Sequence, residues 1–199
     1  MGRQSQPAPI LISVPQDKVK PWPKIGSRTV GDYHIFTVRS DTRISPRTGE
    51  EHDFFVLESV DWANVAALTP DENLVMVEQF RQGSETIELE LPGGMVDPGE
   101  SAVETAVREL REETGYTGER AQIISQIFPN PAILDNTMHT VMLTDCQLTH
   151  PQSLDAGEDL ATQLVPLKNI PRLIEEEKIR HSLMVAALWR VMLWWGKNG

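Results

Sequence analysis

The sequence predicts an α/β (α+β) protein that opens with an antiparallel β segment. Three observations carry this expectation. Apolar runs with strand-like patterning recur at residues 33–39, 53–59, 63–68 and 74–80. A single well-capped helix interrupts them at 101–115. Further strand-like runs at 121–128, 138–144 and 160–166 then give way to helical patterns at 168–177 and 179–195.

Taken in order, residues 1–24 carry Pro7, Pro9, Pro15, Pro21 and Pro23 and are expected to be extended. Residues 25–60 form the N-terminal β segment. Within it, 33–39 (YHIFTVR) runs out, Ser45-Pro46-Arg47-Thr48-Gly49 turns, and 53–59 (DFFVLES) returns. A lone hairpin is marginal in water, so this pair must lean on something. Residues 61–199 form the main domain, starting with the two apolar runs about the loop Thr69-Pro70-Asp71-Glu72-Asn73. The helix follows the turn Asp97-Pro98-Gly99, with Ser101 as N-cap and Glu104 completing a capping box. Val103, Val107, Leu110 and Thr114 fall at helical spacing and are expected to face the core, and Gly115 supplies the left-handed C-terminal cap. The next two strands flank the loop 129–136, and an acidic loop, Leu154-Asp155-Ala156-Gly157-Glu158-Asp159, precedes the last strand. In the final helix Trp189, Trp194 and Trp195 read as core or subunit contacts rather than a cofactor box. No internal repeat is visible.

Composition narrows the function. The formal charge of −11 disfavours a nucleic-acid partner, which needs a basic footprint. It would also repel an anionic diphosphate unless metal ions invert the local field. Cys146 is the single cysteine, so neither an intrachain disulfide nor an all-cysteine metal site is available. The first thirty residues lack the apolar core of a signal peptide, and 183–195, interrupted by Arg190, is too short to read as a membrane span. A cytoplasmic enzyme fits these features, with no membrane partner.

The helix carries the chemistry. Glu109 and Glu113 stack one turn apart and Glu112 lies on the same side, all within about 100° of helix surface. An acidic face solvated by water is one reading of such a cluster. The other is a divalent-cation site, since Mg²⁺ or Mn²⁺ requires hard oxygen ligands at this density. Arg108, four residues before Glu112, can orient a carboxylate by charge-assisted hydrogen bonds.

The stretch GMVDPGESAVETAVRELREETGY resembles the signature of the Nudix hydrolases: Gly, five residues, Glu, seven residues, then Arg-Glu-apolar-any-Glu-Glu-any-Gly-apolar. Gly94, Glu100, Arg108, Glu109, Leu110, Glu112, Glu113 and Gly115 all fall in place, with Tyr116 at a position more often aliphatic. Gln79-Phe80-Arg81 and Glu90-Leu91-Pro92-Gly93-Gly94 resemble the QYR and ELPAG elements that precede the signature in the ADP-ribose pyrophosphatase and nucleoside diphosphate sugar hydrolase branch. Pro131, 15 residues beyond Tyr116, matches a proline of that branch, although its neighbours read Asn-Pro-Ala where Ser-Pro-Gly is usual.

Together with the helix–strand alternation, the resemblance implies a Nudix fold, a mixed β-sheet sandwiched between helices. It implies that the Gly93 carbonyl, Glu109, Glu112 and Glu113 hold Mg²⁺ or Mn²⁺. It assigns catalysis to Glu158, as a base on a mobile loop that closes over substrate, to Glu112, and to Arg108, which orients the carboxylates. Arg81, Glu90 and Pro131 become candidate substrate contacts. Residue by residue, duller readings stand beside these: a surface arginine for Arg81, a glutamate paired with a nearby cation for Glu90, an acidic turn for Glu158, and an ordinary histidine beside a strand for His139. The implied reaction is ADP-ribose + water → AMP + ribose 5-phosphate, or the same cleavage in a related nucleoside diphosphate sugar. GDP-mannose, NADH or a dinucleoside polyphosphate is the alternative substrate, and a non-catalytic ligand sensor the alternative class. The resemblance further implies a homodimer built through the 25–60 segment.

Overall fold

The computed structural model describes residues 19–199, so most of the proline-rich segment expected at 1–24 lies outside the described residues. Strands β1 (Lys24–Asp32), β2 (Thr37–Ile44) and β3 (Glu51–Glu58) form an antiparallel sheet in the order β1-β2-β3. The hairpin expected from sequence is therefore three strands wide. Residues 33–36 are turn rather than strand, because Tyr33 and Phe36 stack at 5.3 Å and Tyr33 N–H donates to the Phe36 carbonyl. β1 escapes the alternation rule: its apolar positions are few, and it exists because β2 satisfies its backbone.

The main sheet has seven strands. β4 (Trp62–Leu68), β5 (Asn73–Arg81), β8 (Tyr116–Ile127), β9 (Met138–Leu148) and β10 (Leu160–Pro166) run in the order β10-β5-β4-β9-β8. β6 (Thr86–Glu90) pairs with β5, and β7 (Gly93–Met95) with β4. The β4–β9 pair is parallel and the remaining pairs are antiparallel, so the sheet is mixed. Helix α1 (Ala102–Thr114) covers one face; α2 (Ile170–Glu175) and α3 (Ser182–Asn198) cover the other.

Period-two alternation sorts the strand residues between the two cores. Ala63, Val65 and Ala67 of β4, Val75 of β5, and Val141 and Leu143 of β9 pack under Ala102, Ala106 and Leu110 of α1. Ala66, Leu68, Leu74, Met76, Met138 and Met142 pack against Ile170, Leu183, Met184, Leu188 and Val191. Full burial of each large side chain here contributes about 1.5–3 kcal/mol. The α1 stripe differs from expectation. Val107 is 39 % exposed and Val103 only half-buried, while Ala102 and Ala106 face the sheet. The i, i+4 row through Leu110 and Thr114 meets the strands, and small alanines let the helix sit close.

The N-terminal sheet is bolted to this body through the loop after β8. Leu57 N–H donates to the Ile133 carbonyl at 2.7 Å, and Arg39 bonds Asp135 at 2.9 Å while also engaging Glu58 and the fully buried Asp41. That contact answers what the β segment leans on. Among the described residues no helix is long and apolar enough to cross a membrane.

Candidate active site

Helix α1 is held at both ends. Ser101 Oγ accepts from Glu104 N–H, and the Glu104 carboxylate accepts from Ser101 N–H at 2.8 Å. Gly115 closes the helix at φ 75, where any Cβ would overlap the His150 carbonyl. Between these caps the register decides which carboxylates go inward. Glu109 is three residues past Ala106, and Glu113 three past Leu110, so both border the buried row. Glu113 is only 4 % exposed, so the reading of the cluster as an acidic face solvated by water does not hold for it.

Strand β7 supplies the facing wall. Gly93 N–H donates to Glu113 Oε2 at 3.0 Å, and Gly93 pairs with Asn64 of β4. A Cβ on Gly93 would run into the Ala63 carbonyl and lie 2.7 Å from Asn64 Cα; one on Gly94 would overlap the Glu109 carboxylate. Glycines at both positions let the backbone close onto the acidic groups.

The third carboxylate arrives from the acidic loop. Gln152 Nε2 donates to the Glu113 carbonyl at 2.6 Å, and Ser153 N–H to the Glu112 carbonyl at 2.8 Å, tying the loop to the end of α1. Asp155 N–H donates to Glu158 Oε2 at 2.9 Å in a tight turn. Carboxylate oxygens of Glu109, Glu113 and Glu158 lie within 4.8 Å of one another. Glu158 thus stands in the cluster, where the sequence reading expected the loop glutamate to act.

Arg108 organises the neighbours. It donates to Glu100 at 3.1 Å, Glu109 at 2.9 Å and Glu112 at 3.2 Å. Glu112, also 3.7 Å from Arg111, is drawn toward the arginines and lies outside the trio. The electrostatics follow from burial. Desolvation pushes the Glu113 carboxyl up to about 8 against the Gly93 N–H bond, with the Glu109 and Glu158 charges adding to the rise. Desolvation raises Glu109 too, opposed by Arg108. Three acidic groups this close call for a positive charge among them.

Gly93 and Gly94 also line a cleft of about 1060 Å³ between the N-terminal sheet, the start of β4 and the start of α3. Its walls include Phe36, Leu57, Trp62, Leu134 and Met184. Arg81 lines it and is gripped from behind by Glu90, at 2.9 Å (Nε) and 2.6 Å (Nη2). Burial pushes the Glu90 carboxyl up, but Arg81 and His181 outweigh it and hold it at about 2. Glu90 therefore follows the cation-pairing reading. Pro131 sits on the exposed loop surface and is not part of the cleft wall; Leu134 of the same loop is. His139 is satisfied by Asp61 and Gln126, the ordinary outcome. Sequence reasoning missed Asn64, Trp62, Arg180 and His181 in the wall. One signal was available: Asn64 is the lone polar residue in the apolar run 63–68.

The NUDIX domain family model matches residues 60–188. The chain belongs to the Nudix family. It is 32 % identical over 130 residues to the ADP-ribose pyrophosphatase of Bacillus subtilis, covering 65 % of this chain and 70 % of that one. It is 31 % identical over 126 residues to the ADP compounds hydrolase NudE of Escherichia coli, covering 62 % and 66 %. A longer match, 27 % over 169 residues, reaches the ADP-ribose pyrophosphatase of Mycobacterium tuberculosis and covers 84 % of this chain and 81 % of that one. A crystal structure of an ADP compounds hydrolase superposes with a TM-score of 0.80 at 24 % identity, over 91 % of this chain and 97 % of that one. It therefore shares this fold.

Proposed function

We propose that this Nudix chain is a divalent-cation-dependent pyrophosphatase that hydrolyses the diphosphate of a nucleoside diphosphate sugar, ADP-ribose to AMP and ribose 5-phosphate. The observation that carries the proposal is the convergence of Glu109, Glu113 and Glu158 behind Gly93 and Gly94, two glycines that line a cleft large enough for such a molecule. The names of the relatives support the choice of substrate.

The donor set fits a hard cation: all-oxygen, crowded, and with Glu113 unwilling to ionise unless positive charge is nearby. Glu109, Glu113 and Glu158 would hold Mg²⁺ or Mn²⁺, with the Gly93 carbonyl as a further oxygen. When bound, the metal neutralises the diphosphate and lowers the pKa of water. Glu158, the least buried of the trio, is the group that takes the proton from the attacking water. Arg108 holds Glu109 and Glu112 in orientation and stays off the substrate. Arg81, aligned by two bonds to Glu90, keeps its remaining donors for a phosphate or ribose oxygen.

The three-stranded sheet exposes Ile25, Val30, Phe54 and Phe55, with Phe54 and Phe55 on its opposite faces, apolar side chains that a second copy of the chain could cover. A homodimer is the assembly this reading favours. The test of function is a panel of ADP-ribose, GDP-mannose, NADH and a dinucleoside polyphosphate with Mg²⁺, read by product chromatography. AMP and ribose 5-phosphate from ADP-ribose are the expected products; no diphosphate cleavage in any substrate overturns the proposal.

A further inference from the structure

Asn64 is 1 % exposed, yet both amide atoms, Oδ1 and Nδ2, lack a hydrogen-bond partner among the described residues. Buried amides are rarely left so, and the exceptions concentrate where a ligand completes the bonding. The orphan has company. Thr140 pairs with Asn64 across β4–β9, and Ser125 pairs with Thr140 across β8–β9. Thr140 Oγ1 and Ser125 Oγ are also buried and unpartnered. Three adjacent strands thus present an unsatisfied polar row at one level of the sheet.

The row faces the α3 side. Ala63 and Val65 point to α1, so Asn64 points with Ala66 and Leu68 the other way, and Thr140 lies between Met138 and Met142 on that same face. The cleft opens there: Asn64 lines it together with Leu91, Met138, Leu183 and Met184. Amid those apolar neighbours, Asn64 is a neutral group that can both donate and accept. Its backbone partner is Gly93, whose N–H holds Glu113, so it stands one strand away from the carboxylate trio.

Resting on the proposed function, we infer that Asn64, backed by Thr140 and Ser125, is a specificity-determining residue that binds a ribose hydroxyl next to the diphosphate. A hydroxyl matches an amide because it too donates and accepts, while a phosphate oxygen would leave Oδ1 unpaired. A site built this way rejects a substrate lacking the hydroxyl, since the buried amide is then left unsatisfied. The hydroxyl belongs either to the nucleoside ribose or to the distal sugar.

The two reaction products separate these sources and bind without turnover. Calorimetric affinities of AMP and of ribose 5-phosphate, with Mg²⁺ present, are compared for the wild type and Asn64→Ala, beside kcat/KM on ADP-ribose. The expected result is a loss of about 10- to 100-fold in kcat/KM and in the affinity of one product, with Tm unchanged or raised because an orphaned amide has gone. Loss on AMP assigns the nucleoside ribose; loss on ribose 5-phosphate assigns the distal sugar. Values within twofold of wild type on all three ligands overturn the inference while leaving the pyrophosphatase reading intact. Equal losses on both products with a lowered Tm also overturn it, as a structural effect. A wild type that neither cleaves ADP-ribose nor binds either product overturns both. Should Asn64→Ala fail to fold, Asn64→Thr, which keeps one hydroxyl and suits a strand, is expected to show the same single-product loss at smaller size.

Discussion

Removing the metal should make stability fall as pH rises, and Glu113 is the reason. Its carboxyl is 4 % exposed and stands at about 8 against an ordinary 4.5, chiefly through desolvation. A group whose folded pKa is raised gives its full stability below the unfolded value and loses it as pH climbs through the folded one. The affected window is therefore pH 4.5 to 8. Carried through completely, the change disfavours the charged folded form by on the order of 5 kcal/mol. Glu109, raised by desolvation as well, is coupled to it through its charge, so the measurable part is smaller, about 2–3 kcal/mol, or roughly 5–10 °C in Tm for a chain of this size. The assay is thermal unfolding in EDTA from pH 5 to 9, for the wild type and for Glu113→Gln. The amide cannot ionise but its oxygen can still accept from Gly93 N–H, so the variant should lose most of this slope. Mg²⁺ should restore the wild type, and most strongly at the alkaline end, where fewer protons must be displaced. A wild-type Tm flat across the window in EDTA, or an equal slope in Glu113→Gln, refutes the reasoning.

Glu158→Gln should lower kcat by about 10²-fold or more with KM changed much less, and Asp159→Asn should do less, as steady-state kinetics on ADP-ribose will read; equal, wild-type rates would move the base into α1. Glu113→Gln should abolish most turnover at saturating Mg²⁺. Glu112→Gln, which removes a partner of Arg108 rather than a member of the trio, should cost at least about tenfold less; the reverse order in kcat would show that the trio is not the metal site. Glu90→Gln removes the charge that aligns Arg81. It should raise KM for the diphosphate substrate by about tenfold, with kcat affected less, and an unchanged KM would show that Arg81 is not a substrate contact.

Much of α1 was legible because its signals are local. The Ser101–Glu104 box, the left-handed Gly115 and the spacing of Arg108 from Glu112 each operate within a helical turn or two, and backbone sterics decide them wherever the helix ends up. The strands after it were found for a similar reason, since β9 carries a short continuous buried run at 140–143, and β10 a short stretch with Thr162 and Val165 that follows the acidic loop. The limits of that logic appear at β1. Lys24–Asp32 has little apolar alternation, and only the hydrogen bonds of β2 make it a strand. Val107 and Ala106 make the same point for the helix: hydrophobicity favoured the valine for the buried side, but the closeness of the sheet selected the alanine.

The amino-acid sequence alone determined the family, the helix that bears the glutamates, and the residue types able to hold a cation. Those are properties of short spacings and of side-chain chemistry. Tertiary structure alone decided that Glu113 is buried and Glu112 is not. It decided that Glu158, 45 residues beyond Glu113, comes within 4.8 Å of it, and that Asn64 is left without a partner in a cleft wall. Each of these depends on how far one element stands from another, a distance set by the packing of the whole sheet and encoded in no single stretch of chain.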